Sequence, residues 1–80
     1  MGGKHRAWRT HWRIDGARLI HSSGAAFVVT EGVGYTDIEA DDATLGAYQA
    51  AELARGVPVH DLADRFKRLA REAGELWQSR

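Results

Sequence analysis

The chain reads as an α+β domain, a four-stranded antiparallel sheet followed by two helices packed on one face, in the order β-β-β-β-α-α. Three features of its 80 residues lead there. From His60 to Trp77, apolar residues recur at three- and four-residue steps, the spacing of a helix with one apolar side. Between Trp8 and Ala40, short alternating or β-branched stretches are separated by glycine-bearing turns, the pattern of a meander. Consecutive strands followed by consecutive helices imply an antiparallel sheet with both helices over one of its faces. The expected limits are residues 7–40 for the sheet, 42–55 for the first helix and 60–78 for the second, within one domain. Residues 1–6 are expected to be flexible.

The first strand follows from the alternation of Trp8, Thr10, Trp12 and Ile14 with Arg9, His11 and Arg13. Asp15-Gly16 then signals a hairpin, because a type I′ turn needs positive φ at both central residues. The resulting register places Ile14 opposite Ala17 and Trp12 opposite Leu19, with Trp8, Thr10 and His21 on the same face. That face is assigned to the core. The other, with Arg9, His11, Arg13, Arg18 and Ile20, is assigned to solvent. Ser22-Ser23-Gly24 is a turn. Ala25 to Glu31 is apolar and β-branched, as in a central strand. Gly32-Val33-Gly34 turns the chain into Tyr35 to Ala40, a short acidic edge strand.

Asp41 or Asp42 is placed to cap the first helix. Gly56 and Pro58 mark its end. Ala43, Ala47, Ala50, Ala51 and Ala54 form one stripe along it, which predicts close packing through small side chains. Leu45 and Tyr48 fall on the opposite side and are expected to be partly exposed. In the second helix, Leu62, Phe66, Leu69, Ala70, Ala73, Leu76 and Trp77 share one arc, with Ala63 at its edge. Its polar side pairs Asp61 with Arg65, Asp64 with Arg68, Arg68 with Glu72 and Arg71 with Glu75 at four-residue spacing. The expected core joins Trp8, Trp12, Ile14, Leu19, Phe27, Val29 and Ile38 to Ala47, Ala51, Leu62, Phe66, Leu69, Ala73 and Leu76.

Composition narrows the function. A chain this short buries roughly 60–65% of its unfolded surface, leaving little room for a deep catalytic pocket. It has no cysteine, so disulfides, thiolate zinc sites and thiol nucleophiles are excluded. No apolar run is long enough to cross a bilayer. The basic start lacks the apolar stretch of a secretory signal, and a cytoplasmic location is expected. Formal net charge is zero, which argues against general polyanion binding. The charges are nevertheless segregated, which predicts two opposed faces, one basic and one acidic, for a charged partner. Residues 1–18 carry Lys4, Arg6, Arg9, Arg13 and Arg18 against Asp15 alone, whereas residues 31–64 are acidic except for Arg55.

Motifs for chemistry are sparse. His5, His11, His21 and His60 have no helical metal-ligand spacing and no HExxH, so neither a metal nor a cofactor is expected. His11 and His21 are expected on opposite sheet faces. Ser22 and Ser23 with His21 or His60 lack the nucleophile elbow of a hydrolase. Asp37 with Glu39, or Asp41 with Asp42, are paired carboxylates in a polar stretch that would not raise a pKa for acid catalysis. Gly32-Val33-Gly34 is not a dinucleotide fingerprint. Glu52 to Phe66 has the outline of a helix-turn-helix entry, but no second turn breaks the long helix.

The expected function is that of a small non-catalytic protein acting stoichiometrically on a protein partner. Its candidate surface is acidic: Glu31, Tyr35, Asp37, Glu39, Asp41, Asp42, Leu45 and Tyr48. Clustered carboxylates imitate a phosphate backbone, so the partner can be a basic nucleic-acid-handling complex. A phage- or mobile-element-encoded inhibitor of the anti-CRISPR kind is the concrete form of this reading. The alternative is a nucleic-acid-binding accessory protein using Arg9, His11, Arg13, Arg18 and the basic tail. The expected state is a monomer or weak homodimer, with Ile20 and the Leu45–Tyr48 surface as possible self-contacts.

Overall fold

A computed structural model describes residues 7–80. The expected flexibility of residues 1–6, and the charges of Lys4, His5 and Arg6, lie outside the described residues. A short 3-10 helix, Ala7–His11, leads into β1 (Trp12–Asp15), β2 (Arg18–His21), β3 (Ala26–Gly32) and β4 (Tyr35–Ala40). Two helices follow, α1 (Asp42–Ala54) and α2 (Val59–Gln78). The four strands form one antiparallel sheet in the order β1-β2-β3-β4, as the sequence predicts. Among the described residues no helix is long and apolar enough to cross a membrane.

The core lies between one sheet face and both helices. Trp12, Leu19, Phe27 and Val29 supply the sheet side, and Tyr48, Leu69, Ala73, Leu76 and Trp77 the helical side. Phe66 links them, its ring 5.2 Å from Phe27 and 5.7 Å from Tyr48. Full burial of a large apolar side chain is worth about 1.5–3 kcal/mol, so Phe27, Leu19 and Tyr48, the largest fully buried side chains, anchor the packing.

The structure departs from the sequence reading in four places. The first strand begins at Trp12 rather than Trp8. β2 ends at His21, where the chain turns, so Trp8 to His11 have no strand to pair with. Instead the Ser22 N–H closes on the His11 carbonyl at 2.8 Å, and the Thr10 hydroxyl donates to the Ala7 carbonyl at 2.8 Å.

The second difference is the hairpin register. Trp12 pairs with His21, Ile14 with Leu19 and Asp15 with Arg18, leaving Gly16-Ala17 as the turn. Gly16 has φ +61, and among the described residues no non-glycine residue has positive φ. Positive φ at the first central position alone is the requirement of a type II′ turn. The shift keeps each strand's faces but carries Ile14 to the rim, where it is 41% exposed instead of joining the core.

The third difference is the rotation of α1. Ala43, Ala47, Ala50, Ala51 and Ala54 are exposed, while Tyr48 is 1% exposed and Leu45 packs against the core. A phenol ring removes far more area from water than alanine methyls do. The alanines thus serve as good helix formers rather than as contacts.

The fourth concerns α2. Its apolar arc faces inward at Phe66, Leu69, Ala73, Leu76 and Trp77, but Leu62 is half-buried outside the core cluster and Ala70 is exposed. None of the four expected pairs forms among the described residues. Arg65 reaches Glu52 of α1 at 3.6 Å instead.

Candidate functional site: an uncovered sheet face and a polar cleft

The helices cover one sheet face and leave the other bare. Strand alternation puts Arg13, Arg18, Val28 and Thr30 on the bare face, with Tyr35, Asp37 and Glu39 along β4. Glu39 stands opposite Val28, which is itself opposite Arg18, and Asp37 stands opposite Thr30. The acidic and basic candidates therefore share one face as a graded surface, not two opposed faces. Arg18 bridges the sides by donating to Asp41 Oδ2 at 2.7 Å. Asp41 also caps α1, its Oδ1 accepting from the Ala43 N–H at 3.0 Å.

This geometry sorts the acidic candidates. Tyr35 is 60% exposed, and Asp37 and Glu39 are exposed and have no ion-pair partner among the described residues. The Tyr35 ring lies over Gly32, where any Cβ would collide with it, so a glycine seats the aromatic on the strand. Asp42 is exposed in the first turn of α1. Glu31 points to the helical side and accepts from Trp77 Nε1 at 3.2 Å. Tyr48 belongs to the core, which removes it as a surface contact, whereas Leu45 packs against the core and stays partly exposed.

The basic candidates divide as well. Arg13 and Arg18 remain on the bare face. Arg9 and His11 sit in the 3-10 helix, where the Arg9 guanidinium lies 5.0 Å from the Trp8 ring centre and donates to Ser79 Oγ. The continuous basic strand face expected from the alternation is therefore absent.

A cleft of about 340 Å³ opens where the end of the β1–β2 hairpin meets the two helices. Trp8, His11, His21 and Ser22 line one side, and Tyr48, Glu52 and Arg55 come from α1. Arg65, Arg68, Leu69 and Glu72 come from α2. Glu52 is 3% exposed, yet it is fully engaged. It accepts from Arg55 at 2.7 Å and from the Tyr48 hydroxyl at 3.4 Å, with Arg65 at 3.6 Å. A buried carboxylate is costly unless paired and hydrogen-bonded, and these three partners meet that need. Burial, and then the Glu52 charge, raise the Tyr48 pKa, so the phenol stays a donor.

The two histidines meet beside this cleft. Their ring centres are 6.0 Å apart, because the 3-10 helix folds His11 back where a strand would have carried it to the other face. The His21 ring stands edge-on to Trp12 at 4.8 Å. Its Nδ1 accepts from the Ser23 N–H at 3.1 Å and lies 2.8 Å from Ser23 Oγ. An accepting Nδ1 leaves Nε2 to carry the proton of the neutral ring. The serine–histidine contact thus closes a turn in the tautomer opposite to that of a hydrolytic triad. Burial is the largest influence on His21 and lowers its pKa. Glu72 raises it, His11 lowers it and Glu52 raises it, in falling order.

Among the described residues, no three His, Cys, Asp or Glu side chains come together to hold a metal ion. The sequence reading missed the cleft because its members lie far apart in the chain and only the rotated α1 brings Glu52 inward. The four-residue spacing of Tyr48 and Glu52 was the signal available. No family model, curated protein or solved structure matches the chain.

Proposed function

We propose that this chain is a non-catalytic binding domain that docks a basic protein surface on the bare face of its sheet, along β4. The row Tyr35, Asp37 and Glu39 carries this reading: an exposed aromatic and two unpaired carboxylates on a face that nothing in the described chain covers. Aromatic side chains are favoured anchors of interfaces, and complementary charge speeds encounter and fixes orientation. Val28, 37% exposed, adds apolar area beside the row. Arg18 is occupied by Asp41, so the face presents net negative charge to a partner. A row of carboxylates suits a site that otherwise holds phosphates. A basic nucleic-acid-handling complex is therefore the partner class that fits best, and stoichiometric inhibition, as by a phage-encoded anti-CRISPR protein, is the activity that follows. The same electrostatics disfavour nucleic acid itself, since Arg13 and Arg18 share their face with Asp15, Asp37, Glu39 and Asp41.

The test is affinity capture from nuclease-treated lysate with the wild-type chain and Asp37→Lys/Glu39→Lys side by side. The expected result is a stoichiometric basic protein retained by the wild type and lost by the double variant, whose circular dichroism and melting stay unchanged. Equal retention by both chains, or recovery that depends on nucleic acid, overturns the reading.

A further inference from the structure

The cleft at the other side of the molecule has features that docking on the bare sheet face does not use. Its cationic groups are held from beneath. Glu52 draws Arg55 to 2.7 Å and Arg65 to 3.6 Å, and this pairing directs two guanidiniums to the cleft. One turn further along α2, Arg68 lines the same wall and has no ion-pair partner among the described residues. The second carboxylate, Glu72, is engaged by Trp12 Nε1 at 2.9 Å. Arg55 and Arg65 are paired with Glu52, and the neutral indole leaves the charge of Glu72 in place. Three guanidiniums against two carboxylates thus leave one net positive charge in this polar recess, with Arg68 as the guanidinium unpaired among the described residues.

The other wall is different in kind. The half-buried Trp8 lines it, packed against the core and with the Arg9 guanidinium 5.0 Å from its ring centre, and the His11 and Ser22 side chains stand 3.5 Å apart beside it. Guanidinium forks match the geometry of a phosphoryl group, and an indole takes a planar ring by stacking. The volume, about 340 Å³, suits a small molecule, since such pockets start at roughly 300 Å³.

We propose that this cleft binds a small ring-bearing phosphate monoester, its phosphoryl group on Arg65 and Arg68 and its ring against Trp8. The two subsites are separate walls, so a ligand with both parts binds more tightly than either part alone. Binding here is independent of docking on the bare face.

Phenyl phosphate is the probe, titrated into the full chain while amide 1H–15N shifts and tryptophan emission are followed. Saturable shifts are expected at Trp8, His21 to Ser23 and Arg68 to Glu72. Inorganic phosphate and phenol are each expected to bind at least roughly tenfold more weakly. Arg68→Ala, at an exposed position, is expected to keep the fold and weaken phenyl phosphate by roughly tenfold, the scale of one lost bond to a charged group. Asp37→Lys/Glu39→Lys is expected to bind the probe as the wild type does, which separates this site from the docking face. Absence of saturable shifts, shifts confined to other surfaces, or unchanged affinity in Arg68→Ala overturns the proposal. Inorganic phosphate binding as tightly as phenyl phosphate overturns the Trp8 subsite.

Discussion

Among single residues, His21 carries a pH signature whose direction follows from its surroundings. Burial holds its pKa below the ordinary histidine value of 6.5, against the opposing pull of Glu72 and Glu52. In the window between the lowered folded value and 6.5, the unfolded chain binds more protons than the folded one. Stability from this group is therefore complete above 6.5 and is lost as pH falls through the folded value. His21→Asn keeps an acceptor for the Ser23 N–H and removes the titration. Its melting temperature is expected to fall less than that of the wild type between pH 7.5 and pH 5, read by circular dichroism. Identical slopes for the two chains would contradict this origin. Tyr48 shows the opposite sign. Its raised pKa favours the folded state below the ordinary tyrosine value of 10 and is lost as pH rises through the folded one. The neighbourhood of His21 was not legible in the alternation, because strand periodicity continues through Trp8 to His11 although no partner strand extends that far.

At the scale of elements, α1 is the instructive case. Its sequence holds two stripes, one of alanines and one with Leu45, Tyr48 and Glu52, and periodicity alone does not say which faces inward. The glutamate argues for the exposed side. Area argues for the tyrosine, and area wins because Arg55 and Arg65 satisfy the carboxylate. Tyr48→Ala is therefore expected to cost about 3–5 kcal/mol in urea unfolding, whereas Ala47→Lys should stay within about 0.5 kcal/mol. The reverse ranking would put the alanine stripe in the core. The hairpin gives a second case at this scale. Asp15-Gly16 announced a turn correctly, but only Gly16 takes positive φ, so the register moved along the return strand. Gly16→Ala is expected to cost about 1–2 kcal/mol, the penalty of a left-handed conformation for a side chain. Ala17→Gly should bring no gain, as it would in a turn needing positive φ at both centres. The apolar arc of α2 was the most legible element, since Leu69, Ala73, Leu76 and Trp77 repeat at helical spacing over a long stretch and all face inward.

For the whole molecule, order and layering followed from the sequence because strands precede helices and each turn is marked by glycine. The distribution of charge did not. Segregation along the chain suggested opposed basic and acidic faces. The meander instead lays β2 and β4 on either side of β3, so Arg18, Asp37 and Glu39 meet on one face and Arg18 is spent on Asp41. That leaves β4 as an acidic edge strand with one row of amides unpaired by the sheet. Unpaired edge amides exchange readily with solvent and become protected when a partner covers them. Hydrogen exchange of the chain, free and in complex with the captured protein, tests the docking reading most directly. Slowed exchange is expected across Tyr35 to Ala40 in the complex, with the exposed alanine side of α1 unchanged. Protection concentrated on α1 or α2, with β4 exchanging as in the free chain, would contradict that reading.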